Sequence, residues 1–160
     1  MKTLNPMSSL LRFLGYVLTG RINFPRECLG QTVVMSDGQK FKIFKHAKLN
    51  CPPGKEREPL AIFQVRFHVA NMTPRQNKMF ATIPIPFFVG LPGFRSKFWM
   101  LNEETGDFQG IYEWDTINDA ENYAKSYAVR FMTGRSVPGT VTWKIIPKSP
   151  GWRAQLYAKQ

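Results

Sequence analysis

The run Ala61 to Ala70 (AIFQVRFHVA) sets Arg66 and His68 two residues apart in an alternating stretch, so both side chains leave one face of an extended strand. An imidazole titrates near neutrality and can take a proton, and a guanidinium beside it can hold the resulting anion. A second run, Phe94 to Leu101, puts Arg95, Lys97 and Trp99 on one side. A third, Phe108 to Trp114, puts Phe108, Gly110, Tyr112 and Trp114 on one side. If the apolar side of the first run meets covering helices, one sheet face is expected to gather Arg66, His68, Lys97, Trp99 and Tyr112. Such a face combines cations, one titratable ring and aromatics, and suits a planar anionic or phenolic ligand. The plainer alternative gives His68 no chemistry and ties Arg66 and Arg95 into cross-strand salt bridges, with Glu113 as the partner.

Those three runs need elements to hold them. Thr73 and Pro74 read as cap and first residue of a helix reaching about Thr82. Pro84 and Pro86 then interrupt the apolar stretch Ile83 to Gly93 (IPIPFFVGLPG), which is expected as a covered loop or as the wall of a pocket, with Phe87 and Phe88 at its centre. Asn102 to Gly106 turns the second run into the third. Asp115 or Thr116 caps a helix from about Ile117 to Met132, and Thr140 to Ile146 alternates as a last strand. The order strand, helix, two strands, helix, strand is the ferredoxin-like split unit, an α+β fold.

Three regions follow: an extension over residues 1–58, a ferredoxin-like domain over 59–147, and a basic tail over 148–160. The extension opens with an amphipathic helix from Ser8 to Gly20. A hairpin follows, Gln31 to Met35 and Lys40 to Lys45 around Asp37-Gly38, its second strand read as an edge guarded by lysines. The chain of 160 residues carries a net charge of +11. Residues 1–58 hold ten basic and four acidic groups, 59–133 seven of each, and 134–160 five basic and none acidic, so the excess sits in the two arms. Simple solubility accounts for it as well as an anionic surface does, and helix packing on its own domain stands beside peripheral contact of residues 8–26 with an anionic membrane. Cys28 and Cys51 form no CxxC pair, which excludes a zinc site of that kind and fits a reduced, cytoplasmic setting. No apolar run reaches the roughly 20 residues needed to span a bilayer, and no GxGxxG phosphate loop points to flavin or nicotinamide.

The block Pro92 to Ala124 (PGFRSKFWMLNEETGDFQGIYEWDTINDAENYA) resembles the core of monooxygenases of the dimeric α/β-barrel superfamily. A Pro-Gly start, an aromatic strand, a Glu-Thr-Gly turn, a Gly-Ile-Tyr strand and a helix with Asp-Ala and Tyr-Ala steps carry the likeness, which extends over Leu60 to Pro147. The resemblance implies a homodimer whose two sheets pack into a barrel, and a cavity between each sheet and its own helices or loops. It implies a cofactor-independent, monooxygenase-like oxidoreductase acting on a small apolar or aromatic molecule. His68 would take the proton, Arg66 or Arg95 would hold the anion, and Lys97, Trp99, Tyr112, Trp114, Phe87 and Phe88 would line the substrate. Haem iron is the cofactor alternative, within a non-catalytic ligand-binding protein whose N-terminal arm docks to a membrane or partner. The haem-degrading relatives carry a histidine late in the second helix, and this chain has none there. Phe67 to Met72 faintly resembles an RNA-recognition strand, but the domain is neutral and Asp107 to Gly110 lacks the basic pattern, so nucleic acid is not expected.

Overall fold

The computed structural model describes residues 4–151, so most of the basic tail, and Lys2, lie outside the described residues. Seven strands form one antiparallel sheet: β1 (Ile22–Asn23), β2 (Thr32–Val34), β3 (Lys40–Leu49), β4 (Ala61–Phe67), β5 (Phe94–Leu101), β6 (Phe108–Trp114) and β7 (Thr142–Pro147). Their order is β1-β3-β5-β6-β4-β7, with β2 paired to the far half of β3. The ferredoxin-like unit is therefore present as β5-β6-β4-β7, and β3 widens it by one strand.

The hairpin turn at Asp37-Gly38 forms as expected, with Gly38 at φ 82°, a conformation that glycine adopts without Cβ strain. Its second strand departs from the expectation. β3 runs for ten residues and pairs on both sides, so it is an interior strand and the extension shares one sheet with the domain. Its lysines alternate with the fully buried Phe41, Ile43 and Ala47, which is the pattern of a two-sided strand with one wet rim.

The helices cover one sheet face. α1 (Pro6–Leu18) starts at Asn5, whose side chain accepts from Met7 N. α2 (Pro74–Phe80) opens on a capping box between Thr73 and Gln76, and Pro74 takes a first-turn position where no N–H is needed. The apolar stretch expected as a loop instead winds into a short helix, α3 (Ile85–Val89), because Pro84 and Pro86 fall at its start and cost no internal hydrogen bond. The helix expected over Ile117 to Met132 is broken in two, α4 (Ile117–Ala124) and α5 (Tyr127–Gly134). Ser126 turns extended at ψ 164° between them.

α1 reaches the core through α3. A Cβ on Gly90 would lie 1.8 Å from the Ser9 carbonyl oxygen, so the two backbones touch. Ser9 is fully buried there, and an Arg12 Nη donates to the Gly90 carbonyl at 3.2 Å. The Tyr127 hydroxyl donates to the Phe87 carbonyl at 2.6 Å and fastens α3 from the other side. The opposite sheet face carries a second core, in which Cys28, Val33 and Met35 of the extension pack on Phe41, Ile43, Ile62, Phe98, Met100 and Ile111. This is the face that a two-sheet barrel would bury, and the chain's own extension occupies part of it.

Candidate functional site

The strand register divides the expected site between two faces. Tyr112 is paired with Phe63 on one side and Lys97 on the other, and Gly110 with Val65 and Trp99. Directly paired residues point the same way, so Lys97, Trp99 and Tyr112 lie under the helices with the apolar side chains of β4. Arg66 is paired with Gln109 and points to the opposite face. The expected single face holding Arg66, His68, Lys97, Trp99 and Tyr112 therefore does not form. Alternation puts the apolar side of β4 against the helices but leaves the phase of β5 and β6 open, and only the register decides it.

Under the helices, a cavity of about 70 Å³ opens between the sheet, α2, α3 and α5. Lys97 occupies its floor. Its Nζ sits 4.3 Å from the centroid of Trp99, 4.4 Å from Tyr112 and 4.5 Å from Phe88, and no carboxylate lines the cavity. Burial pushes its pKa well below the ordinary lysine range, and the neighbouring Lys45 ammonium adds to the shift. A desolvated ammonium without an anion is costly, so the site favours the neutral amine. Lys45 itself hydrogen-bonds the Thr82 hydroxyl at 2.5 Å and lies 5.8 Å from the Trp99 ring.

The space exists because position 110 has no side chain. A Cβ there would approach Tyr112 Cε2 at 2.8 Å and Val65 Cγ1 at 3.4 Å, with Lys97 Cε at 3.6 Å. Around this gap stand Asn77, Tyr123, Phe131, Met132 and Arg135. The buried Asn77 amide lines the cavity with no side-chain hydrogen bond to the described residues. Burial raises the pKa of both Tyr112 and Tyr123, so their hydroxyls remain proton donors. Arg135 stacks on Phe80 at 3.6 Å and leans toward Phe131 at 5.4 Å, placing a second cation on the lining without a carboxylate partner among the described residues.

The remaining candidates sit elsewhere. Phe88 is in the cavity, whereas Phe87 is half-buried and engages α5 through its carbonyl. Trp114 packs behind the cavity, 4.8 Å from Tyr123 and 5.7 Å from Phe94. Arg66 pairs with Asp37, donates to Gln109 Oε1 at 2.7 Å, and holds the Asp37 carboxyl below its ordinary pKa. Arg95 lies in the bulge between Phe94 and Ser96 and pairs with Asp115 at 2.9 Å. Both arginines are thus in salt bridges, though neither with Glu113, which is bonded to Ser96 and Lys148. His68 falls one residue past β4, its Nδ1 2.8 Å from Asp107 Oδ1, and is half-exposed outside the cavity lining.

A haem group does not fit this cavity. Its lining contains neither histidine nor cysteine, and 70 Å³ is far below the roughly 300 to 1,000 Å³ of pockets that take drug-sized ligands. His68 is turned to Asp107, and His46 is buried on the opposite face against Phe98. Among the described residues no cluster of His, Cys, Asp or Glu is placed to hold a metal, and no helix is long and apolar enough to cross a membrane.

The residues missed at the sequence level are Asn77, Gly110, Tyr123, Phe131 and Arg135. Only Gly110 left a usable signal, a glycine inside an alternating aromatic strand, which marks close approach by another group. The helical residues depend on how α2 and α5 lie across the sheet.

No family model matches the sequence, and no curated protein does. Solved structures share the fold. An uncharacterized ferredoxin-fold protein related to antibiotic biosynthesis monooxygenases from Listeria monocytogenes aligns with 80% of this chain and 92% of its own, at 12% identity and a TM-score of 0.51. The heme-degrading enzyme LmHde from Listeria monocytogenes aligns with 80% of this chain and 97% of its own, at 13% identity and a TM-score of 0.51. A major regulator of staphylococcal pathogenesis aligns with 75% of this chain and 74% of its own, at 13% identity and a TM-score of 0.52. The chain has the ferredoxin-like fold that these proteins share, and the fold by itself serves an enzyme and a regulator alike.

Proposed function

We propose that the protein is a monooxygenase-like oxidoreductase whose cavity takes a single-ring phenol and lets its anion react with dioxygen without a cofactor. The observation that carries this is Lys97, a buried amine with no anion beside it, ringed by Phe88, Trp99 and Tyr112 on the floor of an apolar cavity. A neutral amine in that position accepts the phenol proton, and the ammonium so formed gains from the three ring faces and from the phenolate it has created. Arg135 adds positive potential to the same lining. The monooxygenase-related and heme-degrading proteins of the same fold support the reaction class.

The electrons come from the substrate. The phenolate ring passes one electron to dioxygen, the pair combines through a new carbon–oxygen bond, and Lys97 returns its proton to the peroxide oxygen. The hydroperoxide then breaks its O–O bond and loses water as the ring C–H proton leaves. The sum is phenol plus O₂ giving quinone plus water. Exclusion of bulk water by Phe88, Trp99 and Met132 keeps the phenolate poorly solvated and reactive. Dioxygen uptake measured over a panel of single-ring phenols and quinols tests this, with an expected loss of at least 100-fold in Lys97→Met. Uptake that survives that substitution would remove the assignment. His68 and Arg66 carry no step in this scheme, and their catalytic roles are replaced by Lys97 and Arg135.

One observation favours a second reading, a ligand-binding protein docked through its arm. Met7, Leu11, Leu14 and Leu18 form an exposed apolar stripe on α1, and residues 1–26 contain no acidic group. On that reading α1 lies on an anionic membrane, and cosedimentation with phosphatidylserine vesicles that falls with salt is expected. The homodimer remains part of the proposal, tested by sedimentation equilibrium.

A further inference from the structure

A primary amine that is buried among aromatic rings, with no carboxylate beside it, is a nucleophile toward carbonyl carbon as well as a base. We propose that the cavity is also a carbonyl-binding site, in which Lys97 Nζ condenses with a short-chain aldehyde or ketone to give a protonated Schiff base held among Phe88, Trp99 and Tyr112. The inference shares the cavity with the oxygenation reading but needs no dioxygen chemistry, so either can fall without the other.

Four features of the site converge on this chemistry. Surface lysines are protonated at neutral pH and react slowly with ketones, whereas burial without an anion shifts Lys97 toward the reactive neutral form. Nζ is 4.3 to 4.5 Å from three ring centroids, so the planar iminium that forms lies against aromatic faces that attract a delocalised cation. Lys45, close enough to depress Lys97 further, supplies the second cation that activates lysines of this type. The Asn77 amide, with no side-chain partner among the described residues, is available to donate to the carbonyl oxygen.

The step balances without an outside redox partner. The Nζ lone pair forms the C–N bond while the carbonyl oxygen takes a proton from nitrogen, giving the carbinolamine. The C–O bond then breaks, and the oxygen leaves as water with one further proton from solvent. The sum is amine plus carbonyl plus a proton giving iminium plus water. The Tyr112 hydroxyl, kept protonated by burial, can relay the proton to the departing oxygen. Size narrows the class. At about 70 Å³ the cavity takes nothing larger than a single ring, and short-chain carbonyl compounds enter it most readily.

The test uses the full chain at pH 7 with butanone, reduced by sodium borohydride and mapped by peptide mass spectrometry. A single adduct on the Lys97 peptide, absent in Lys97→Met, is expected. No adduct, or adducts spread over exposed lysines equally in both proteins, would overturn the proposal. Dioxygen uptake with phenols is followed on the same preparation. An adduct without uptake keeps this inference and removes the oxygenase reading, while Lys97-dependent uptake without an adduct keeps the oxygenase and removes this inference.

Discussion

The two faces of the sheet treat their charged side chains in opposite ways. On the outer face the charges shielded from solvent are answered: Arg66 by Asp37 and Gln109, Glu113 by Ser96 and Lys148. On the inner face Lys97 is surrounded by rings and Arg135 by Phe80 and Phe131, with no carboxylate lining the cavity between them. Paired charges in a sheet face organise register and solubility. A basic group desolvated without a partner anion lowers stability, and its persistence points to work on a ligand. The outer face therefore reads as structural and the inner one as chemical.

Lys97→Met breaks this contrast most strongly. The proposed activity should fall by at least 100-fold, since a positioned base contributes about 10²- to 10⁴-fold, yet the protein should become more stable. The sign follows from linkage. Lys97 has a lower pKa folded than unfolded, so between its folded value and the ordinary 10.5 the unfolded chain binds the extra proton and wild-type stability rises with pH. The methionine variant lacks that slope. Thermal melts across pH 6 to 10 should show its advantage greatest at low pH and shrinking toward pH 10.5. A variant less stable than wild type at every pH would contradict the buried, unpaired amine.

Gly110→Ala leaves the charges untouched and fills the space. The new methyl meets Tyr112 Cε2 at 2.8 Å and Val65 Cγ1 at 3.4 Å in a crowded wall, so the aromatic ring must shift into the cavity. Ligand affinity, read by calorimetry or by quenching of Trp99 fluorescence, should weaken about 10-fold, with stability lowered by about 1 to 3 kcal/mol. Gly90→Ala acts one layer further out. Its methyl would collide with the Ser9 backbone at 1.8 Å, where no side chain can yield, so α1 must lift from α3. A loss of about 1 to 3 kcal/mol is expected, together with faster proteolysis within Pro6–Leu18.

How much of this the sequence discloses depends on the kind of residue. Strands β4, β5 and β6, Thr73 with Pro74, and the turn at Gly38 are local patterns, and each forms where alternation and capping chemistry place it. The phase of one strand against the next is not local. Alternation groups Lys97 with Trp99, and Arg66 with His68, but only the pairing of Lys97 with Tyr112 and of Tyr112 with Phe63 shows that the two groups face apart. α3 was missed because two prolines in five residues suggest a loop until both fall within a first turn. Alternation and resemblance place Lys97 against a ligand, but its burial is not legible in them, because it depends on Phe88, which α3 delivers, and α3 is held in turn by α1 and Tyr127.

Arg66→Ala is the smallest of these perturbations and sharpens the contrast from the other side. The Arg66–Asp37 pair joins the hairpin turn to the outer face, but Asp37 is largely exposed, and such pairs contribute about 0 to 1 kcal/mol. The folded Asp37 carboxyl is held below its ordinary value of 3.8. Its share of stability is therefore present above that pH and lost as pH falls through the folded value, so wild type and variant should converge in acid. At pH 7 the melting temperatures should differ slightly, and dioxygen uptake and Lys97 labelling should not differ at all. A loss of either in Arg66→Ala, with the fold intact, would mean that the two faces communicate and that the division of labour between them is wrong.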